Sequence, residues 1–270
     1  MRISIGHVSR YTYAAPVYYS IQTLRLTPPS FQGQRVVEWL ITAPGFENAS
    51  IFRDSYGNLA HLVSYTGSHD ESLILAKGVI ETEDRAGLVA GLPEVAPVRV
   101  YKRETPKTLA SEAIRDLANA ACPVPTIDGF HALMHAIRDA IEYKIGTTSE
   151  HTDAAAAFAA GQGVCQDHAH VMIAAARCLG VPARYVNGYF VSGAAEPAEA
   201  HHAWAELWVE GLGWVGFDPA NRICPTDQYV RLATGLDAAS AAPIRGTRQG
   251  GTNELLDVIV EVQQQKTSQQ

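Results

Sequence analysis

The chain has little charge and few cysteines. Charged residues form 18% of its 270 positions, and 28 acidic residues against 21 basic ones give a net charge of −7. No basic block interrupts this balance, so we expect neither nucleic acid nor a membrane surface as a partner. Hydrophobic residues make up 47% of the chain, which is enough to form a buried core.

Long apolar runs and Cys-x-x-Cys pairs are also missing. No run reaches the ~18 residues of a membrane span, and the N-terminus lacks the ~7–15-residue apolar core of a signal peptide. We therefore expect a cytoplasmic protein whose four cysteines are reduced. Without Cys-x-x-Cys, zinc-knuckle and thioredoxin-type sites are excluded. The Gly-x-x-x-x-Gly-Lys-Ser/Thr pattern of a nucleotide site is absent as well, and we expect no cofactor.

Residues 1–85 show the pattern of a β-rich domain. Short stretches of aromatic, β-branched or alternating residues are separated by turn signals such as Pro28-Pro29 and Pro44-Gly45. Strands at roughly 8–12-residue spacing are typical of a β-sandwich, which we predict to pack beside the active site as a structural domain. Glycine and proline then concentrate in residues 86–106, which we interpret as a linker.

The hydrophobic period becomes helical after Thr108. One amphipathic segment runs to Ala121, and a second carries apolar residues at helical spacing. These residues are Phe130, Leu133, Met134, Ile137 and Ile141. Asp153 is expected to cap a short alanine-rich helix that ends at Gly161.

Beyond Pro182 the period changes to two, as in β-strands. Gly211-Leu212-Gly213 is predicted to form the turn of a β-hairpin. Helices followed by an antiparallel sheet predict an α+β fold for a catalytic core at residues 107–245. Residues 246–270 are expected to contain a C-terminal strand, from Leu255 to Val262, and a polar tail.

Cys165 stands at the predicted start of a buried helix. Gly161 and Gly163 precede it, and an apolar helical repeat follows it until Gly180. Helix N-termini favour negative charge, and their free N–H groups can form half of an oxyanion hole. A cysteine thiol, with an ordinary pKa near ~8.5, ionises more readily at such a position. We therefore interpret Cys165 as a nucleophile and expect the two glycines to leave room for a substrate backbone.

Two adjacent histidines follow on a predicted strand, and either could act as the base. His202 shares a strand face with Trp204 and Glu206, whereas His201 points to the opposite face. Because only one of the two can face Cys165, we favour His202. It would form an imidazolium–thiolate pair and later protonate the leaving amine.

Asp218 is the candidate for orienting His202. A three-residue turn would place His202 opposite Arg222, so Asp218 would lie four residues away, about 13 Å along the strand. Contact between the two side chains then requires a bulge or an offset register. The alternative is that Asp218 forms only an Asp-Pro turn at the end of a strand.

A metal centre is the alternative chemistry for these residues. Cys165, His168 and His170 lie at i, i+3 and i+5 of one predicted helix and do not converge. His131 and His135 have the i, i+4 spacing of a metalloprotease helix, but the glutamate of that motif is missing. We therefore predict no catalytic metal.

Three ordered motifs resemble the transglutaminase-like superfamily, in its microbial cysteine-protease-like branch. They are Gly163-Val164-Cys165-Gln166-Asp167-His168-Ala169-His170, His202-Ala203-Trp204-Ala205-Glu206 and Gly213-Trp214-Val215-Gly216-Phe217-Asp218-Pro219. The front of the chain is similar to the β-rich N-terminal region that is often joined to this core in bacteria. The resemblance implies a papain-like fold and a metal-free Cys165–His202–Asp218 triad.

The same resemblance implies thioester chemistry on the amides of a peptide or protein substrate. Water as the acceptor would give a protease or amidase, which we rank first, and a lysine amine would give cross-linking. A non-enzymatic peptide-binding module with the same fold is a third alternative. Papain-like enzymes often place a glutamine six residues before the cysteine as an oxyanion donor, but Ala159 stands there. Tyr143 and Trp204 are therefore the candidates for that donor.

Overall fold

The structure is a computed structural model, and it describes residues 1–149, 151–191 and 201–265. Along the chain, the strands and helices are β1 (Arg2–Leu24), β2 (Gln34–Thr42), β3 (Ser50–Arg53), β4 (Leu59–Thr82), β5 (Leu88–Val89), α1 (Glu112–Ala121), α2 (Ile127–Ala140), β6 (Glu142–Tyr143), α3 (Ala154–Ala160), β7 (Gln162–Gly163), α4 (Cys165–Cys178), β8 (Ala183–Phe190), β9 (His201–Val209), β10 (Gly213–Phe217), β11 (Tyr229–Gly235), β12 (Ile244–Gly250) and β13 (Leu255–Gln264). Short 3-10 helices lie at Phe46–Asn48, Val98–Lys102 and Pro106–Thr108.

The N-terminal residues supply four strands of a six-stranded antiparallel sheet, which is built around the two long strands β1 and β4. These strands have 23 and 24 residues, so the short strands expected from the sequence are parts of longer ones. Register shifts between Thr12 and Val17, and again before Tyr19, interrupt their pairing without ending it. Such bulges let a strand continue through residues that look like a turn in the sequence.

The C-terminal strand predicted from Leu255 to Val262 is confirmed as β13. Together with β12, it pairs with β1 and so belongs to the N-terminal sheet. The first and last parts of the described chain therefore form one layer. Residues 266–270 of the predicted polar tail lie outside the described residues.

A second, five-stranded antiparallel sheet has the order β11-β8-β9-β10-β5. Helix α4 packs against β8 and β9, and the helices α1, α2 and α3 surround it. The apolar stripe predicted for α2 is buried, and Asp153 caps α3 by accepting a hydrogen bond from the Ala156 N–H, both as predicted. N-terminal strands followed by helices on an antiparallel sheet confirm the α+β, papain-like prediction. Strand β5, which lies inside the predicted linker, pairs with β10 at the edge of this sheet.

The two sheets share an apolar interface. Ile3, Ile5 and Ile80 of the N-terminal sheet are buried in one cluster with Val230 and Leu232 of β11. Strand β11 is therefore hydrogen-bonded within the core sheet, while its side chains also pack against the N-terminal sheet. The longest helices, α2 and α4, have 14 residues each, and in the described ranges no helix combines the length and apolarity of a membrane span.

Glu206 is a fully buried acid on β9. The Nε of Arg184 donates to it at 2.5 Å and the Nε of Arg231 at 2.9 Å. Burial by itself raises the pKa of Glu206, but the two guanidinium groups outweigh burial and hold it below its usual value. The three side chains form a buried ion network across β8, β9 and β11.

Arg177, near the end of α4, connects the helix to its surroundings. Its guanidinium donates to the carbonyl oxygens of Tyr101, Ala183 and Leu236 and to the Thr108 hydroxyl, over 2.6 to 3.0 Å. One buried side chain thus fixes the segment before α1 to the helix that carries Cys165.

Candidate active site

Cys165 is the first residue of α4, as the sequence predicts. At this position its backbone N–H has no acceptor within the helix. The Asp167 carboxylate accepts hydrogen bonds from the Val164 N–H at 2.8 Å and from the Thr148 hydroxyl at 2.6 Å. A Cβ on Gly163 would lie 2.7 Å from the Cβ of Asp167. Gly163 therefore makes room for the capping carboxylate, and its role in leaving room for a substrate backbone stays a prediction.

His202 lies between Cys165 and Asp218. Its Nε2 donates to Oδ2 of Asp218 at 2.7 Å, and Cys165 lies close enough to influence the pKa of the imidazole. Burial alone lowers the pKa of His202, but the hydrogen bonds and charges of Asp218 and Cys165 outweigh it and raise the pKa to about 10. The imidazolium is thus the favoured form of His202 in this environment.

His201, the rival histidine, lies on the other side of β9. Its ring is 5.8 Å from that of His7 and 6.2 Å from that of Tyr189, between centroids. Burial lowers its pKa to about 4, with a further contribution from His202. The structure therefore brings His202, and not His201, together with Cys165.

Asp218 is completely buried, and its Oδ2 is a shared acceptor. Besides His202, the Tyr229 hydroxyl donates to it at 2.7 Å and the Asn221 Nδ2 at 2.8 Å. Burial raises the pKa of Asp218, but these hydrogen bonds and the His202 charge outweigh burial and lower it below its usual value. Asp218 is therefore ionised beside a protonated imidazole.

The contact between His202 and Asp218 depends on the register of the β9–β10 hairpin. The register expected from the sequence is wrong by two residues, because Val209 pairs with Gly213 and the same offset continues along the strands. Asp218 is then two residues, and not four, from the position opposite His202. Contact between His202 and Asp218 was predicted to require a bulge or an offset register, and the structure has the offset register.

Aromatic rings enclose the imidazole of His202. Phe190 lies 5.4 Å and Tyr229 5.8 Å from it, and Trp204 stacks at 6.4 Å, measured between ring centroids. This apolar shell excludes water from the His202–Asp218 hydrogen bond. Trp204 and Tyr143 stay predictions as oxyanion donors; the Tyr143 backbone pairs with Gly163, two residues before the cysteine.

Asn221 and Tyr229 were missed by the sequence analysis. Asn221 follows Asp218 by three residues, and Tyr229 opens a strand that has no motif of its own. Their role depends on the chain turning back after Asp218, where Asp218 and Ile223 form an isolated bridge. Only the Asp-Pro dipeptide, which indicates a turn, points to this arrangement in the sequence.

The remaining cysteines and the helix histidines lie apart from this group. The Cys178 thiol donates to the Ala175 carbonyl oxygen, and burial raises the pKa of Cys224 to about 11. His168 contacts the carbonyl oxygens of Val164 and Ile141, and His170 accepts from the Ala238 N–H. In the part of the chain that the structure describes, no three His, Cys, Asp or Glu side chains are grouped to hold a metal ion.

Full-length relatives of the chain occur in mycobacteria. An uncharacterized protein of Mycobacterium leprae is 28% identical over 277 residues, which cover 97% of this chain and 98% of the relative. An uncharacterized protein of Mycobacterium tuberculosis is also 28% identical, over 97% of this chain and 92% of its own length. A protein-glutamine gamma-glutamyltransferase of Pseudomonas aeruginosa is 34% identical over 87 residues, or 29% of this chain and 12% of that protein.

A solved structure shares the fold over the whole chain. The crystal structure of a candidate cysteine protease from Cytophaga hutchinsonii superimposes with a TM-score of 0.75 and 21% identity, covering 100% of this chain and 92% of that one. Residues 3–81 match the family model of the bacterial transglutaminase-like N-terminal region, and residues 115–219 match the transglutaminase-like superfamily. The chain is therefore a member of the transglutaminase-like superfamily that carries the bacterial N-terminal region.

Proposed function

We propose that the protein is a thiol-dependent hydrolase that cleaves peptide or isopeptide amides through Cys165, His202 and Asp218. The observation that carries the proposal is the position of His202, whose imidazole donates to the buried Asp218 carboxylate at 2.7 Å and lies close enough to Cys165 for that residue to raise its pKa. Cys165 adds the N-terminus of α4, where negative charge is favoured. This combination suits nucleophilic attack by sulfur with proton transfer by imidazole.

The first half of the reaction forms a thioester. The Cys165 thiolate attacks the amide carbonyl carbon, and a C–S bond forms while the carbonyl oxygen becomes an oxyanion beside the Cys165 N–H. As the oxyanion collapses, the C–N bond breaks and the His202 imidazolium gives its proton to the departing amine. Asp218 keeps the imidazole ring oriented and does not take the proton.

The second half releases the acyl group. With His202 now neutral, its nitrogen facing the sulfur accepts a proton from water as the water oxygen attacks the thioester carbonyl. The C–S bond breaks, the carboxylic acid leaves, and the Cys165 thiolate and the His202 imidazolium are restored. No redox step and no further reactant are required.

Transfer to an amine is the second candidate function. It is supported by the 87-residue likeness to the Pseudomonas aeruginosa protein-glutamine gamma-glutamyltransferase, although that likeness covers 12% of that protein. The two functions share the thioester and differ only in the acceptor. In this case a primary amine, and not water, would attack the acyl group on Cys165.

Mass spectrometry separates the two functions. The protein is incubated with glutamine-containing peptides and a dansylated amine, and the products are sequenced. Peptide cleavage or conversion of glutamine to glutamate supports hydrolysis, whereas incorporation of the amine supports transfer. Cys165→Ala should abolish either product. Cys178→Ala, at the other end of the same helix, is the matched control and should keep activity. If the wild-type protein forms no product from any peptide and iodoacetamide does not alkylate Cys165, the proposal is wrong.

A further inference from the structure

Three donors converge on one oxygen of Asp218. Oδ2 accepts from His202 at 2.7 Å, from the Tyr229 hydroxyl at 2.7 Å and from the Asn221 Nδ2 at 2.8 Å. Its partner Oδ1 accepts a long bond, of 3.4 Å, from the Asn221 backbone N–H. Because a carboxylate oxygen has about two lone-pair directions, His202 competes for Oδ2 with two other donors.

Tyr229 comes from outside the sequence motifs of the site. It is the first residue of β11, ten residues beyond the end of the matched superfamily segment at position 219. Its ring is held 4.6 Å from that of Phe190 and 5.4 Å from that of Trp204. Burial, and then the charge of Asp218, raise the pKa of Tyr229 above its usual value, so its hydroxyl stays protonated and donates.

The N-terminal sheet holds β11 on both sides of Tyr229. The buried Gln34 amide brackets Arg231: its Nε2 donates to the Arg231 carbonyl oxygen at 2.9 Å, and its Oε1 accepts from the Arg231 N–H at 2.7 Å. Two residues before Tyr229, the Thr82 hydroxyl donates to the Asp227 carbonyl oxygen. The position of Tyr229 thus depends on contacts from the N-terminal sheet.

We propose that Tyr229 is a positioning residue for the candidate base, and that the N-terminal sheet controls it through the Gln34 clamp on β11. By donating to Asp218, the Tyr229 hydroxyl reduces the negative charge that His202 meets and so limits how strongly the acid holds the imidazolium proton. The N-terminal sheet then contributes to the chemistry, beyond supporting the core. The inference rests on the proposed function, in which the His202 imidazolium must give the proton on its other ring nitrogen to the leaving amine.

The charged and titratable groups around His202 come from four elements, and one of them, His201, points to the opposite face of the strand. They are Cys165 on α4, Asp218 after β10, Tyr229 on β11 and the adjacent His201 on β9. Among these, the Tyr229 ring contacts the imidazole directly, whereas the Tyr229 hydroxyl acts on His202 through its hydrogen bond to Asp218. A change confined to that hydroxyl therefore tests the path from Tyr229 through Asp218.

The test measures the hydrogen bond between His202 and Asp218 directly. Proton NMR of histidine-labelled protein near neutral pH, well below the His202 pKa of about 10, observes the Nε2 proton. Tyr229→Phe keeps the ring and its packing but removes the donor, so Asp218 becomes a stronger acceptor and the Nε2 resonance should move downfield. An unchanged or upfield-shifted resonance would overturn the inference. Iodoacetamide labelling of Cys165 in the same samples checks the proposed nucleophile independently of this result.

A matched pair of amides tests the role of the N-terminal sheet. Asn58 brackets Thr234 of β11 as Gln34 brackets Arg231, with both bonds at 2.8 Å, but beyond the register shift between Arg231 and Ala233. Gln34→Ala should move the His202 resonance in the same direction as Tyr229→Phe, by a smaller amount, and should add nothing in the double variant. Asn58→Ala should leave the resonance in place. Equal effects of the two alanine variants would refute control through Gln34.

Discussion

Replacing Asp218 with Asn removes the charge that keeps His202 protonated. The rise of the His202 pKa from 6.5 to about 10 corresponds to about 5 kcal/mol in favour of the imidazolium, at ~1.4 kcal/mol per pKa unit. Part of this comes from Cys165 and the rest from Asp218. In Asp218→Asn, burial still lowers the His202 pKa, but the carboxylate charge that raises it is gone, so the His202 pKa should fall. With a misdirected imidazole, turnover should drop by roughly 10³- to 10⁴-fold, as for triad acids in serine proteases.

The raised pKa of His202 makes the stability of the fold depend on pH. A group whose folded pKa is raised stabilises the fold fully below its unfolded pKa, here 6.5, and loses that contribution as the pH rises through about 10. Urea unfolding of wild type and Asp218→Asn should therefore differ by several kcal/mol at pH 6. The difference should shrink as the pH approaches 10. The weakening of the hydrogen bonds from Tyr229 and Asn221 does not depend on pH, and it accounts for the difference in the free energy of unfolding that remains at high pH.

Alkylation of Cys165 provides the second readout. Iodoacetamide reacts with the thiolate form of cysteine, so the rate of alkylation near neutral pH reports how reactive Cys165 is beside His202. The variant should react more slowly there and approach the wild-type rate at alkaline pH. A variant with a wild-type alkylation profile, and with the same loss of stability at pH 6 and pH 10, would refute the assigned role of Asp218.

Three further substitutions test the supports around the site. Glu206→Gln removes the buried carboxylate shared by Arg184 and Arg231 and leaves Arg184 only the more exposed Glu94 carboxylate at 3.8 Å, so it should lower the free energy of unfolding by about 3 kcal/mol, measured by urea denaturation. Glu210→Gln, exposed on the same hairpin, should change the free energy of unfolding little. Arg177→Met leaves several buried acceptors unpaired and should lower the midpoint of thermal unfolding, at a cost of about 3 kcal/mol, measured by calorimetry. Thr148→Val removes a donor from a buried carboxylate and should cost about 1–3 kcal/mol, with a slower alkylation of Cys165 as the second measurement. A stability within error of the wild type would contradict the reasoning in each case.

Local patterns in the sequence predict the elements of the site well. The helical repeat after Cys165 placed it at the start of a buried helix, and strand alternation put His202 and Asp218 on the same face. Both inferences use side-chain periodicity, which depends only on neighbouring residues. The catalytic roles of these residues stay predictions, whereas their proximity is a property of the fold.

Pairings between distant segments could not be predicted in the same way. The hairpin register was wrong by two residues, because the three-residue loop lies at residues 210–212 instead of 211–213, and Gly211 and Gly213, both with positive φ, fit a turn in either position. The assignment of β13 to the N-terminal sheet depends on which edge is left open, and no local pattern encodes that choice. Tyr229 reaches Asp218 only after both the hairpin and β11 are in place, so its role follows from tertiary structure alone.

The protonation state of His202 also determines the order of the proposed reaction. Since the His202 pKa is about 10, the resting side chain is the imidazolium, with both ring nitrogens protonated, and it cannot accept a proton from water or an amine. It becomes a base only after giving a proton to the departing amine. The acceptor, whether water or an amine, can therefore attack the thioester only after the first product has left. Hydrolysis and transfer then share every step up to the thioester, and the choice between them depends on which nucleophile reaches the acyl group on Cys165, a residue that is 7% exposed.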